Sequence, residues 1–307
     1  MKLLSVVVPV YYNEESLPCL FAELVKVEEA LSRKKVQLEL IFVDDGSGDG
    51  SLGELLAIKS QRSSTKIVKL SRNFGAFQAL KAGLRFVTGD CFMMLSADLQ
   101  DPPDLVLDAA ERWLAGARYV VCARQDRDDP FSSKVTASIY YRLLRFFVLS
   151  DYPAGGYDLA LMDRALLPYL QDSGKNINTP LFAYWLGFQP EVIYYKRRKR
   201  THGRSRWTLG KRVKLFIDSM LGFSIVPIRL ISLVGVLVSV LGFGYGLFVV
   251  TNALLGNPDL TGVRGFATLA ALMAFLLGLT IMMLGIIAEY IWRIFDEVSG
   301  RPEACLL

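Results

Sequence analysis

Short apolar runs alternate with longer segments of mixed polarity over the first 122 residues of the chain. The apolar runs have the length of buried strands, and we predict strands at residues 4–10, 38–43, 67–70, 91–95 and 119–122. The segments between them predict helices at residues 17–31, with Ser16 as the N-cap, and at 51–60, 77–87 and 105–115. This alternation predicts an α/β fold with a mostly parallel sheet covered by helices.

Two amphipathic segments follow beyond Arg124. Residues 131–150 and 209–223 carry apolar side chains at helical spacing, with charged side chains on other faces. This pattern predicts helices that lie on a membrane surface, and the alternative is that they pack on the soluble part of the protein.

Two long apolar stretches near the end of the chain predict a transmembrane helical hairpin. No charged residue occurs between Arg229 and Asp259 or between Arg264 and Glu289, and each stretch can span about 30 Å of hydrocarbon as a helix. Basic residues precede and follow the hairpin, which places both of its outer ends in the cytoplasm. We therefore predict a globular domain at 1–207 that includes the surface helix at about 131–150, an interfacial helix at 208–228, a transmembrane hairpin at 229–292 and a cytoplasmic tail at 293–307.

Composition agrees with a protein that is partly embedded in a membrane, because 52% of its 307 residues are hydrophobic. The net charge of +5 is concentrated in the basic segment, residues 196–206, which predicts an anionic partner. The alternative for this segment is simple attraction to anionic lipid. Four scattered cysteines and the single His202 exclude a zinc site and a histidine triad, and they indicate reduced thiols.

Carboxylates and amides follow three of the predicted strands. Alone, each group is ordinary turn chemistry, and Asp101 in particular could cap the turn before Pro102 and Pro103. Together at one edge of a sheet, so many carboxylates need a cation or hydrogen-bond donors, and a nucleotide with Mg²⁺ or Mn²⁺ would supply both. The groups are Asn13 and Glu14, Asp44 and Asp45, and Asp98, Gln100 and Asp101.

Five motifs in order make the chain resemble a known family. They read VVVPVYYNEE, VDDGSGDG, LSRNFGAFQALKAGL, ADLQDPP and RKRTHGRSRWTLGKRVKL. The sequence resembles the polyprenyl-phosphate glycosyltransferases, inverting enzymes with a GT-A fold, and among them the bacterial undecaprenyl-phosphate glucosyltransferases. The resemblance covers nearly the whole chain, including the hairpin.

The resemblance implies roles for individual residues. It implies catalytic roles for Asp158 and Asp98, and metal binding by Asp98 and Gln100. It implies that the acceptor phosphate is bound by Arg127, Arg200, Ser205 and Arg206. It implies a nucleotide-sugar site made of Pro9, Tyr11, Asn13, Glu14, Asp44, Asp45, Asn73, Gln78, Asp98 and Arg124.

One position departs from the family pattern, and two assignments have plainer alternatives. Many relatives carry an acidic residue where this chain has Ser96, which weakens the case for a tightly held metal. Residues 73–78 could be only the start of a helix, and Asp158 could be only a turn residue after a glycine pair.

The resemblance implies transfer of a hexose, glucose from UDP-glucose, to undecaprenyl phosphate with inversion, by a multi-pass protein of the inner membrane whose catalytic domain is cytoplasmic. The expected partners are the nucleotide sugar, the lipid phosphate, the membrane and further copies of the chain, but no nucleic acid. Alternatives are another sugar (mannose, galactose or a modified aminosugar), a processive polysaccharide synthase, or a nonenzymatic scaffold that binds nucleotide. A synthase is disfavoured because Arg206 and Trp207 lack the Gln-x-x-Arg-Trp context and the hairpin is small.

Overall fold

The computed structural model describes residues 1–126, 131–153, 155–174, 177–198, 209–224, 226–255, 266–300, 302 and 304–307. These residues form two compact units. The first comprises Met1–Gly222 with Pro302–Leu307, and the second comprises Phe223–Arg301.

A mostly parallel sheet forms the centre of the first unit. In the part of the chain that the structure describes, the strand order is β3-β2-β1-β4-β6-β5-β7. Only β6 runs against its neighbours β4 and β5. The predicted α/β fold with a mostly parallel sheet is therefore confirmed. The strands are β1 (Lys2–Val10), β2 (Val36–Asp44), β3 (Lys66–Lys69), β4 (Cys91–Met94), β5 (Tyr119–Asp126), β6 (Tyr157–Asp163) and β7 (Glu191–Lys196).

Helices with apolar faces cover the sheet. The first helix shows the pattern, since the side chains that it buries recur at helical spacing: Leu17, Leu20, Leu24, Val27 and Leu31. The helices of the first unit are α1 (Leu17–Arg33), α2 (Ser51–Gln61), α3 (Ala76–Leu84), α4 (Leu105–Leu114), α5 (Phe131–Phe147), α6 (Leu167–Gln171) after a 3₁₀ turn at Arg164–Leu166, and α7 (Thr179–Trp185), followed by α8 (Leu209–Phe223).

Each strand and helix predicted before residue 124 is present, but several ends differ. β2 begins two residues earlier than predicted, at Val36, and β5 continues to Asp126 because residues beyond Cys122 pair with β7. Ser16 occupies the predicted N-cap position of α1. Its side chain makes no cap bond, and its hydroxyl instead donates to the Ala97 carbonyl at 2.8 Å, which joins the loops after β1 and β4.

The C-terminal half of α8 packs against α5. Tyr140 lies on Phe216 with ring centroids 6.1 Å apart, and its hydroxyl is 3.0 Å from the buried Ser219 hydroxyl. This contact joins the two amphipathic helices to each other. A membrane-surface location for α5 and α8 stays a prediction.

The last residues of the chain return to the edge of the sheet. Leu306 pairs with Leu70 in an antiparallel bridge. The Ser71 amide donates to the Cys305 carbonyl, and the Leu307 amide donates to the Lys69 carbonyl, both at 2.9 Å. The tail, which the sequence analysis left without structure, therefore covers the exposed edge of β3.

The second unit consists of α9 (Val226–Leu254) and α10 (Phe266–Val298). By length and composition, Ile228–Phe248 and Phe275–Val298 could each cross a membrane, with mean hydropathies of 2.1 and 1.9. The predicted turn at 256–265 lies outside the described residues. Glu289 pairs with Arg293 one turn later in α10 at 3.3 Å.

Candidate active site

Three loops meet at the carboxyl edge of the sheet. β1 lies between β2 and β4 and is parallel to both, so the loops that follow these strands are neighbours. The predicted convergence of the carboxylate groups at one edge is therefore confirmed. In open α/β sheets this edge is where ligands bind.

Hydrogen bonds join the loop after β1 to the loop after β2. The Tyr12 amide donates to the Ser47 hydroxyl at 3.1 Å, and the Gly50 amide donates to the Glu14 carboxylate at 2.5 Å. Asn13 accepts a hydrogen bond from the Tyr11 amide at 2.9 Å. Asn13 and Glu14 thus shape these loops, and their predicted contact with a nucleotide, like that of Tyr11 and Pro9 at the end of β1, stays a prediction.

Asp44 presents a buried carboxylate oxygen that suits a ligand. The side chain is fully buried, and its Oδ1 accepts a hydrogen bond from the Ser47 amide at 3.0 Å. Its Oδ2 has no hydrogen-bond partner among the residues that the structure describes. Burying such an oxygen without a donor costs about 1–3 kcal/mol, and the N–H or O–H groups of a nucleoside could supply the donor.

Asp45 holds the 71–75 loop in place. Its two carboxylate oxygens accept hydrogen bonds from the Phe74 amide at 2.7 Å and from the Gly75 amide at 2.9 Å. The Asn73 side chain is exposed beside this contact, and Gln78 is half-buried in the first turn of α3. The structure thus brings residues 73–78 to the site, and it gives Asp45 a positioning role that the sequence did not reveal.

The loop after β4 has a strained backbone. Leu99 has a φ of +57°, a left-handed conformation that is rare for a bulky residue and that is common at functional sites when it does occur. On either side of Leu99, the Ser96 hydroxyl donates to Asp98 Oδ1 at 2.7 Å, and the Gln100 amide donates to the same oxygen at 3.2 Å. Ser96 therefore orients the Asp98 carboxylate.

The residues of this loop fit a divalent ion that is shared with a phosphate group. No cluster of three or more His, Cys, Asp or Glu side chains with metal-ligand geometry occurs in the described ranges, so these residues alone form no complete cage. Asp98 offers one carboxylate, with the oxygens of Ser96 and Gln100 beside it. Mg²⁺ and Mn²⁺ are commonly held by one or two carboxylates together with substrate phosphates.

Asp101 lies at the centre of a buried hydrogen-bond network. Its side chain is 1% exposed. Its Oδ1 accepts a hydrogen bond from the Tyr195 hydroxyl at 2.5 Å and lies 3.3 Å from Arg197 Nε, and its Oδ2 accepts one from the Ser96 hydroxyl at 3.3 Å. Burial and the neighbouring Asp101 raise the pKa of Tyr195, so its hydroxyl stays protonated and can donate. This network replaces the capped turn that was the alternative for Asp101.

Arg124 and Asp158 lie on neighbouring strands near this network. Arg124 is the register partner of Tyr195 between β5 and β7, and its charge opposes part of the rise in the pKa of the Tyr195 hydroxyl. The register shift between Cys122 and Ala123 leaves Asp158 as the extra residue of β6, at a β-bulge. Bulges occur often next to active sites, where they redirect a side chain. For Asp158 the structure describes the backbone alone.

The acceptor residues inferred from the resemblance lie outside the described residues; they are Arg127, Arg200, Ser205 and Arg206. Tyr195 and Arg197 are site residues that the sequence analysis missed. The burial of Tyr195 follows the ordinary alternation of a strand, and Arg197 is one of many cations in the basic segment, so no sequence signal marks either residue.

The sequence matches two family models. Residues 5–168 match the model of glycosyl transferase family 2, and residues 226–294 match that of the GtrB C-terminal hairpin. The chain belongs to glycosyl transferase family 2. It is therefore an enzyme, a glycosyltransferase, and its C-terminal unit is a hairpin of the GtrB type.

The similarity to relatives of comparable length covers nearly the whole chain of this glycosyltransferase. The uncharacterized glycosyltransferase YkcC of Bacillus subtilis is 35% identical, over 97% of this chain and 91% of the relative. The SfII prophage-derived bactoprenol glucosyl transferase of Shigella flexneri is 31% identical, over 98% of this chain and 96% of the relative.

Solved structures show the same fold. The glucosyl-3-phosphoglycerate synthase of Mycobacterium tuberculosis, in complex with Mn²⁺, uridine-diphosphate-glucose and phosphoglyceric acid, superposes with a TM-score of 0.53 at 17% identity, over 71% of this chain and 80% of that one. This likeness confirms the predicted GT-A fold. Because such a neighbour carries Mn²⁺, a divalent metal cofactor is consistent with the fold.

Proposed function

We propose that this glycosyltransferase transfers glucose from UDP-glucose to undecaprenyl phosphate, with inversion at the anomeric carbon, at the cytoplasmic face of the inner membrane. The observation that carries the proposal is the similarity, over 98% of the chain, to a protein named bactoprenol glucosyl transferase. That similarity includes both the domain with the carboxylate crevice and the apolar hairpin.

The donor would lie across the carboxyl ends of β1, β2 and β4. Asp44 would accept a hydrogen bond from the nucleoside through its buried Oδ2, and the 71–75 loop held by Asp45 would border the same site. Asp98 and Gln100 would hold Mg²⁺ or Mn²⁺ against the diphosphate. When bound, such an ion stabilises negative charge on the departing nucleoside diphosphate.

The acceptor would be bound by arginines of the basic segment and by Arg127, which follows β5 in the sequence. Arg127, Arg200 and Arg206 can each bind a phosphate through two parallel hydrogen bonds, and Ser205 can donate another. A phosphate monoester has a second pKa of about 6, so at neutral pH it attacks mainly as a dianion and needs no general base. We therefore assign Asp158 to orienting the sugar or a cation rather than to accepting a proton.

The membrane segments would hold the site where the lipid phosphate lies. We propose the division made from the sequence: a catalytic domain at 1–207, an interfacial helix at 208–228, the hairpin at 229–292 and a tail at 293–307. The apolar side chains of Ile139 and Phe146 on α5 are 54% and 80% exposed, which supports contact of that helix with lipid. The proposed assembly is a homo-oligomer, which light scattering of the protein in detergent would measure.

A panel of donors tests the reaction. Purified protein with Mn²⁺ and a short-chain polyprenyl phosphate is offered UDP-glucose, UDP-galactose, GDP-mannose and a UDP-aminosugar, and release of nucleotide is measured with and without the lipid. We expect consumption of UDP-glucose that depends on the lipid. Consumption of a different sugar would refute the donor assignment, and nucleotide binding without turnover would favour the scaffold.

Two arginine variants test the acceptor assignment. Arg200→Ala and Arg206→Ala should raise the apparent KM for the lipid phosphate more than that for the nucleotide sugar. Arg85→Ala, which removes an exposed arginine at the end of α3, is the control and should change neither KM. Equal effects on both substrates, or loss of membrane binding alone, would favour the lipid-attraction alternative for the basic segment.

A further inference from the structure

The 96–101 loop and the end of β7 are joined by several contacts. Asp101 accepts a hydrogen bond from Tyr195 at 2.5 Å and pairs with Arg197 at 3.3 Å. The Arg198 amide donates to the Gln100 carbonyl at 2.8 Å. These contacts fix four consecutive residues, 195–198, relative to the loop that carries Asp98.

Asp101 gives this junction its rigidity because its charge is buried. The carboxylate is 1% exposed, it accepts hydrogen bonds from the Tyr195 and Ser96 hydroxyls, and it forms an ion pair with Arg197. A buried carboxylate is stable only with such partners, so the 195–197 residues cannot move away without leaving it unpaired. Ser96 links the same carboxylate to Asp98, since its hydroxyl also lies 2.7 Å from Asp98 Oδ1.

The basic segment begins at this junction. Residues 196–200 are five consecutive cations, and Arg204 and Arg206 follow. Contacts that hold residues 197 and 198 in place therefore also determine where the basic segment starts. The loop on the other side of the junction carries Asp98 and Gln100, which the proposed function places at the diphosphate.

We propose that Asp101 is a positioning residue that holds the start of the basic segment, residues 196–198, at a fixed distance from the donor loop, acting through Tyr195 and Arg197 and touching neither substrate. This inference rests on the proposed function. Its consequence is that Asp101 controls how the lipid phosphate is placed against the anomeric carbon but leaves nucleotide binding unchanged.

Asp101→Asn tests the inference with little change in volume. It keeps an oxygen that can accept from Tyr195 and removes the charge that pairs with Arg197. Because a misplacement of about 1 Å can cost about 100-fold in rate, we expect kcat to fall by about 10- to 100-fold and the KM for the lipid phosphate to rise. The affinity for UDP with Mn²⁺, measured by calorimetry, should stay within about twofold.

Asp104→Asn is the matched control. Asp104 lies three residues further on, its side chain is 69% exposed, and it is 3.8 Å from Arg198. The Asp104→Asn variant removes an exposed carboxylate near the same segment, and it should leave kcat and both KM values unchanged. If Asp101→Asn does not fold, Tyr195→Phe carries the test, because it removes the shortest hydrogen bond of the junction and keeps the charge.

Limited trypsin digestion measures the anchoring without any assay of transfer. The full-length variants in detergent are digested, and cleavage after residues 196–198 is compared with cleavage after Lys34 and Lys35 in the turn between α1 and β2. We expect Asp101→Asn to accelerate cleavage at 196–198 by at least about tenfold relative to the reference site, in proportion to the more populated open form. Equal acceleration at both sites would mean general destabilisation and would overturn the inference.

The two measurements separate the possible failures. If cleavage accelerates but kcat and the KM for the lipid phosphate do not change, the segment is anchored by Asp101 without serving the acceptor, and the positioning role is wrong. If UDP affinity falls as much as kcat, Asp101 acts on the donor and the inference is also wrong. If the wild-type protein transfers no sugar to polyprenyl phosphate, the proposed function fails, while the trypsin result still decides whether Asp101 anchors the segment.

Discussion

Gly46→Ala should damage the proposed nucleotide site from a position that carries no chemistry of its own. Gly46 has a φ of +68°, and a Cβ atom there would lie 2.6 Å from the Arg72 carbonyl carbon. The left-handed conformation costs a residue with a Cβ about 1–2 kcal/mol. The contact is with backbone, which cannot yield by rotating a side chain, and such overpacking adds about 1–3 kcal/mol. We expect a destabilisation of about 3 kcal/mol, which lowers the unfolding temperature by roughly 10 °C.

The clash also has a local consequence. It pushes the 71–75 loop away from the loop after β2, and it therefore lengthens the hydrogen bonds from Phe74 and Gly75 to Asp45. We expect this displacement to cost about 1.4 kcal/mol of binding energy at the donor site, which corresponds to a tenfold rise in the Kd for UDP. Thermal unfolding of the detergent-solubilised protein and UDP calorimetry measure the two effects.

Gly53→Ala is the control for the same chemical change. Gly53 lies in α2, and a Cβ there would meet no atom within 4 Å. Alanine is favoured over glycine in a helix by up to about 1 kcal/mol, so this variant should be as stable as the wild type or more so, with unchanged UDP affinity. The reasoning is refuted if Gly46→Ala unfolds at the wild-type temperature and binds UDP normally.

Three further predictions concern single carboxylates. Asp98→Asn should lower kcat by about 100-fold without loss of membrane insertion, and normal activity at limiting Mn²⁺ would contradict the metal assignment. Asp158→Asn should lower kcat strongly but leave the acidic limb of the pH–rate profile near the phosphate pKa of about 6; disappearance of that limb would make Asp158 a base. Glu39→Gln should lower the unfolding temperature at pH 7 by an amount that shrinks below about pH 4.5. Burial raises the pKa of Glu39, but hydrogen bonds from Lys66, Ser5 and Thr88 outweigh burial and lower this pKa overall. The stability that Glu39 contributes therefore exists above its unfolded pKa and is lost as the pH falls through its folded pKa. Glu111→Gln, which removes a carboxylate whose side chain is 54% exposed, is the control and should leave the unfolding temperature at pH 7 unchanged.

The pattern of apolar residues determined the sheet, most of its helices and the edge that carries the candidate site. Strands such as β1 and β4 are largely apolar because most of their length is buried on both faces, and this property is readable from the sequence. The carboxylates at their ends could be assigned to one crevice because parallel strands bring their carboxyl ends to the same edge. Motif resemblance then supplied the family.

The roles inside the crevice were decided by tertiary structure. Asp44 and Asp45 are adjacent in sequence and equivalent in composition, yet one leaves an oxygen for a ligand and the other is bound by two amides of a loop about 30 residues away. Asp101 and Tyr195 are 94 positions apart, and nothing local marks their contact. The partner of a polar side chain depends on which segments the fold brings within about 3 Å of it, and the sequence does not show this. The burial of apolar side chains follows their local alternation along the chain, and the sequence does show that.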